Sequence, residues 1–325
     1  MLTMNELQIG DQLDHYRIEA LAARSGMACI YRAVDLQTGV PVAIKVPHFE
    51  VESDPLLFDR FKREDAIGRR LDHPRVMKVL ADEDRSRLYI VMEWLDGQLL
   101  RKVLTSEKKL PPERAIRIAL GVCEALEYIH SRGVVHRDLK PENIMVDSED
   151  RIKLIDFGIA NSAGSKRLTY ARITQSMGTP DYVSPEQVKL HRGDARSDLY
   201  ALGVIFYEML TGEVPFQGSN ALVVLNDRLV NNPIPPREID PQISIQLQEI
   251  IYRALERNPT NRYASARDFA RDLQDPDSVV AAERPEEKDW RVRRSAKPKT
   301  ALFYAALALI PIAIVVLLLM TAQRH

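Results

Sequence analysis

An α+β chain is predicted: a small β-rich lobe, then a larger helical lobe, then one apolar segment long enough to cross a bilayer. Three observations predict it. Strand-like and helix-like periodicities are segregated along the chain rather than alternating. Residues 301–320 contain no charged side chain. The remainder has ordinary globular composition, 45% apolar and 28% charged over 325 residues. A net charge of −1 lacks the basic footprint of a nucleic-acid binder, so no such partner is expected. Cys29 and Cys123 stand far apart without a CxxC pairing, which argues against a disulfide framework or zinc site and fits a reducing cytosol. The first residues carry neither a basic n-region nor an apolar core, so no signal peptide is expected.

Residues 16–21, 28–35 and 40–47 are rich in β-branched and aromatic side chains and read as strands, with Thr38-Gly39 offering a hairpin turn. A helix-like stretch over 55–71 follows, and 88–93 returns to strand. After Gly97 the period becomes helical. Pro111-Pro112 can open a helix, Ala115, Ile118, Val122, Leu126 and Ile129 repeat at three or four, and Gly133 is a stop signal. Residues 198–210 repeat this pattern up to Gly212. Cleft chemistry is expected where the two lobes join.

The expected organisation is an extension (1–15), a folded domain (16–273, lobes about 16–96 and 97–273), a polar linker (274–300), a membrane helix (301–320) and a short tail (321–325). As a helix the apolar run would span about 30 Å, the hydrocarbon thickness, and Pro311 would kink it. Arg291, Arg293, Arg294, Lys297 and Lys299 precede it, and only Arg324 and His325 follow. The positive-inside rule then places the folded domain in the cytoplasm of a single-pass protein of the inner or plasma membrane. Ala301, Ala305, Ala306 and Ala308 would allow two such helices to pack as a homodimer.

The chemistry concentrates in His136-Arg137-Asp138-Leu139-Lys140-Pro141-Glu142-Asn143, followed after a short strand (152–155) by Asp156-Phe157-Gly158. With these motifs at this spacing, the sequence resembles the eukaryotic-type (Hanks-type) Ser/Thr protein kinase family in its bacterial form. The resemblance covers about four-fifths of the chain and implies the bilobal protein kinase fold, ATP as phosphate donor and protein serines or threonines as acceptors. Phosphoryl transfer needs charge neutralisation and in-line positioning more than covalent help. The resemblance gives Asp138 the incoming hydroxyl's proton and Lys140 the γ-phosphate. Asn143 and Asp156 become oxygen ligands for Mg2+, with Mn2+ as an alternative. Taken singly, these Asp and Asn residues would read as turn formers.

Upstream, Val42-Ala43-Ile44-Lys45 matches the family's strand lysine, which holds the α- and β-phosphates. Its glutamate partner on the following helix is matched by Glu64, with Asp65 as the competing candidate. Met92, Glu93 and Leu95 match the hinge that meets adenine, beside Ala43. The departure lies in the phosphate-covering loop. The family pattern G-x-G-x-x-G-x-V falls on Ala23 through Ile30, so Ala23, Ser25 and Ala28 replace its three glycines while Gly26 stands between them. Glycine permits positive φ and close backbone approach; its replacement implies a stiffer turn and weaker ATP binding. Cys29 has no obvious neighbour to lower its pKa and reads as an inert small side chain.

Between Asp156 and Ser184-Pro185-Glu186 lies a polar stretch matching the activation loop. Thr169, Thr174 and Ser176 are its candidate phosphosites, and Thr179 matches the family threonine that contacts the catalytic Asp and Lys. Arg137 could pair with a phosphate there. By the same resemblance Glu186 should pair with Arg262, and Asp198 should brace the catalytic loop. Two other readings stand beside the kinase: a pseudokinase scaffold that senses nucleotide, and a small-molecule phosphotransferase, from which the Ser-Pro-Glu anchor sets the chain apart.

Overall fold

Alternation along the strands decides which side chains face the cleft. The computed structural model describes residues 6–80, 85–156 and 180–282. Strands β1 (Gln12–Leu13), β2 (Tyr16–Arg24), β3 (Ala28–Asp35), β4 (Pro41–Pro47) and β5 (Ile90–Glu93) form one antiparallel sheet in sequential order. Successive side chains of a strand point to opposite faces. On β4, Val42, Ile44 and Val46 join Tyr16, Ile18, Tyr31 and Val91 in a core on the outer face. Ala43 packs instead with Ala28, Phe61, Ile90 and Met92 on the inner face. Lys45 shares the Ala43 face, and this alternation points a cation into the molecule.

The β3–β4 turn is the one expected. Gly39 adopts φ +72°, and Asp35 accepts from the Gln37 amide (2.9 Å) and the Thr38 hydroxyl (2.8 Å). A short helix α1 (Phe49–Ser53) leads into α2 (Pro55–Gly68), which starts where Asp54 accepts from the amides of Leu56 and Leu57 and Pro55 fills the first turn. It stops at Gly68 rather than at 71. A Cβ on Gly68 would lie 2.3 Å from Val79 Cγ2, so the helix end is seated directly on the strand-side core.

The second lobe is built on two helices. α3 (Leu100–Glu107) precedes α4 (Pro112–Ser131), whose Ala115, Ile118, Val122, Leu126 and Ile129 are all fully buried, as their spacing predicts. Gly133 follows at φ +72°. The Ala195–Thr211 helix is capped by Asp194, ends at Gly212 (φ +76°) and is buried from Ser197 onward. It starts three residues earlier than the periodicity suggested, because a helix apolar on all sides leaves no face to mark its first turn. A small antiparallel sheet of β6 (Gln98–Leu99), β7 (Ile144–Val146) and β8 (Ile152–Leu154) packs against α3 and α4. The last long helix, Ala266–Gln274, packs on α4, and Val279 still touches the core beyond it.

The bilobal α+β architecture is as expected, but the membrane part is corrected. Among the described residues no helix is long and apolar enough to cross a membrane. The longest, α4, is amphipathic and buries one face on the core. The run at 301–320 lies outside the described residues, and apolar length states a hydropathy, not a conformation. The transmembrane anchor, the membrane partnership and the single-pass localisation are therefore not supported, nor is the homodimer argued from that helix.

Candidate active site

Lys45 is the centre of the site. Its Nζ lies 2.5 Å from Glu64 Oε1 on α2 and 3.0 Å from Asp156 Oδ1 just after β8. The ring of Phe61, one turn back on α2, stands 6.0 Å from the ammonium. Asp65 is turned away and pairs with Arg69 (3.0 Å) and Arg85 (3.2 Å), so of the two candidate acids only Glu64 meets the lysine. Burial alone would lower the Lys45 pKa, but Asp156 and Glu64 outweigh it and raise it. Two carboxylates sharing one cation leave an excess negative charge, and it falls unevenly. Burial pushes Glu64 up to about 7 against the pull of Lys45, with Asp156 adding to the rise. Asp156, whose side chain is half exposed, goes the other way: desolvation opposes its charge, yet Lys45 holds it down at about 2. Asp156 also adopts φ +59°, a conformation that favours glycine, so its backbone is held by its surroundings.

The catalytic-loop residues gather beside this triad. Lys140 Nζ lies 2.7 Å from Asp138 Oδ2. Asn143 donates through Nδ2 to the Asp138 carbonyl at 2.7 Å, which leaves its Oδ1 as the group to offer a cation. The Ile155 amide donates to the Asn143 carbonyl at 2.9 Å, and that bond brings Asn143 beside Asp156. Hard oxygen donors of the kind Asn143 and Asp156 carry suit Mg2+ by ligand chemistry. From below, buried Asp198 accepts the amides of His136 (2.9 Å) and Arg137 (2.7 Å) and meets His130 Nε2 at 2.8 Å. Arg137 is held at φ +63° by this grip. Glu186 and Arg262 form a two-point pair at 2.8 and 2.7 Å, as the resemblance implies.

Opposite, Ala43 pairs in register with Met92. Both share an apolar cluster with Ile30, Leu95 and Ile155, which gives a flat heterocycle apolar walls. Glu93 Oε1 accepts from Lys153 (2.5 Å) and the Lys78 amide (2.8 Å), and the Glu93 amide donates to the Lys78 carbonyl (3.0 Å). Ala23 lies at the end of β2, one residue before Arg24 closes it; Ala28 opens β3, and Ser25, Gly26 and Met27 form the turn between them. No residue there has positive φ, and a Cβ on Gly26 would meet nothing within 4 Å. Cys29 is buried at the start of β3. Phe157, Gly158, Thr169, Thr174, Ser176 and Thr179 lie outside the described residues.

Two features went unweighed in the sequence. Arg101 on α3 donates to Glu142 (2.7 Å), Glu208 (2.6 Å) and the Tyr182 hydroxyl, which itself donates to Glu208 at 2.5 Å. Arg228 is fully buried and donates to the carbonyls of Pro180, Asp181 and Val183 at 2.5–2.7 Å. The available signal was a charged residue among apolar neighbours of a helix, clear at Glu208 in IFYEML but blurred at Arg228 in LVVLNDRLV, where Asn226 and Asp227 precede it. Its partners, though, are main-chain groups or lie some forty to a hundred residues away, and no local pattern encodes them.

Residues 24–273 match the family described as Protein kinase domain. A probable serine/threonine-protein kinase of Streptomyces coelicolor is 39% identical over 264 residues, covering 80% of this chain and 39% of that protein. The serine/threonine-protein kinase PknB of Mycobacterium tuberculosis is 37% identical over 265 residues, covering 80% of this chain and 42% of its own length. The chain thus spans about two-fifths of the length of these curated relatives. The crystal structure of the Mycobacterium tuberculosis PknI kinase domain superposes with a TM-score of 0.67 at 26% identity, covering 84% of this chain and all of that one.

Proposed function

Because this chain belongs to the protein kinase domain family, we propose that it is a Ser/Thr protein kinase that moves the γ-phosphate of ATP onto protein hydroxyls. The observation that carries the reading is the convergence of Lys45, Glu64 and Asp156 next to Asp138, Lys140 and Asn143. In this reading Lys45 holds the α- and β-phosphates, and Glu64 keeps its ammonium in place. Asp138 aims the acceptor hydroxyl and takes its proton; Lys140, already beside it, offsets charge on the transferring group. Mg2+ held through Asn143 and Asp156 would neutralise the phosphate tail. Adenine lies between the apolar residues around Ala43, Met92 and Leu95, against the main chain of the hinge. Thr169, Thr174 and Ser176 are the sites proposed for autophosphorylation, and Thr179 the contact to the acceptor.

The replaced glycines favour one second reading, a scaffold that binds nucleotide without turning it over. An Mg2+-dependent assay on a generic basic protein substrate separates the two. The kinase reading expects incorporation by the wild type, with Lys45→Met and Asp138→Asn each lower by at least about 100-fold. Equal labelling by all three proteins, or none by the wild type, would sink it. Mass mapping of the wild type against Asp138→Asn locates the loop phosphates, and their absence from active protein ends the autophosphorylation proposal.

A further inference from the structure

The turn between β2 and β3 satisfies its own amides. Ser25 Oγ accepts from the amides of Met27 (3.3 Å) and Ala28 (3.1 Å) and donates to the Ala28 carbonyl at 3.0 Å. The Ser25 amide donates to the same carbonyl at 2.9 Å. A second tie comes from the end of β4. The His48 amide donates to the Met27 carbonyl at 2.9 Å, and its ring Nε2 lies 2.8 Å from the Ser25 carbonyl. A carbonyl only accepts, so Nε2 carries the hydrogen. The closed turn is also free of strain, since none of its residues has positive φ.

Successive amides of a tight turn are what phosphate oxygens bind when the backbone presents them. Here two of those amides already have an acceptor, and it is a side chain standing where the family pattern has glycine. We infer that Ser25 and His48 form a latch on the phosphate turn. In the nucleotide-free protein the Ser25 hydroxyl holds the Met27 and Ala28 amides, and a nucleotide's phosphates must displace it before those amides can bind them. This rests on the reading of the cleft as an ATP site. Ser25 acts by competition and His48 by fixing the turn that lets it compete. Both are positioning residues, and neither touches the reacting atoms. The latch lowers apparent phosphate affinity by the fraction of molecules in which it stands open.

The test compares binding of MgADP with binding of adenosine to the full chain by calorimetry. Adenosine has the base and sugar but no group for the turn's amides. Ser25→Ala should tighten MgADP about fivefold, the worth of roughly one net hydrogen bond, and leave adenosine unchanged. His48→Ala should shift MgADP in the same direction. His48→Gln, whose amide can still donate to the Ser25 carbonyl, should return it toward wild type. A merely structural role would move nucleoside and nucleotide together or weaken both. MgADP binding unchanged or weakened in Ser25→Ala, or adenosine moving by the same factor, overturns the latch. If neither ligand binds the wild type, the nucleotide cleft itself fails and the latch with it; if both bind and their ratio is insensitive to Ser25, only the latch fails.

Discussion

Glu64 is the residue on which pH should act first. Its carboxyl, pushed up to about 7 by burial, keeps its partnership with Lys45 only while ionised. Activity should therefore fall as pH drops through about 7, well above the ordinary carboxylate range, and a kcat/KM profile checks this. Glu64→Gln should lower kcat/KM about tenfold or more at pH 8 and flatten that acid limb. A limb that persists unchanged in the variant assigns it elsewhere. The effect on folding has the opposite sign. A carboxyl whose folded pKa is raised adds stability below its unfolded value of 4.5, and the gain is lost as pH rises through about 7. Asp156, held down at about 2, stabilises above 3.8 and loses that contribution as pH falls toward 2.

At the scale of elements, α2 matters because it carries Glu64 to Lys45. Its C-terminal end is seated by Gly68 on Val79, and a methyl group at 68 would overlap the valine side chain. Gly68→Ala should therefore destabilise by about 1–3 kcal/mol, despite alanine's better helix propensity. Val79→Ala in the same chain should recover part of the loss, and the double-mutant cycle read by chemical denaturation measures the coupling. Additive effects would mean that the contact does not seat the helix. Most of this element was legible in the sequence: Asp54-Pro55 marks its start, and the Lys45–Glu64 match was available from motif order. Its end was not. A glycine chosen for close approach looks, in one sequence, like a glycine chosen for anything else. The candidate site residues were legible for a related reason, since HRDLKPEN compresses several of them into eight positions. Arg228 and Arg101 were not, because what they hold is brought near only by the fold.

For the whole molecule, the Glu186–Arg262 pair ties the short helix Pro185–Val188 to a distant part of the second lobe. The arginine side chain is fully buried, and it also donates to the carbonyls of Glu256 (2.7 Å) and Arg196 (3.1 Å). Removing one partner leaves a buried charge uncompensated. Arg262→Met should cost about 3–5 kcal/mol, visible as a lower denaturation midpoint. The Lys45–Glu64–Asp156 chemistry lies elsewhere, so kcat of the protein that remains folded should change far less. A large fall in kcat without a stability loss would count against a structural role.

The Ala195–Thr211 helix sets the spacing of two anchorages in the second lobe. Asp198 near its start fixes the catalytic loop, and Glu208 near its end fixes Tyr182 and Arg101. Ten residues of α-helix separate them, about 15 Å of rise. The helix behaves as a gauge rod: two anchorages belonging to different loops are kept at one separation and one relative bearing by helical pitch alone. Inserting a single residue between them would lengthen the rod by only about 1.5 Å but swing one anchorage by about 100° around the axis. Orientation, more than length, is what this buried rod protects.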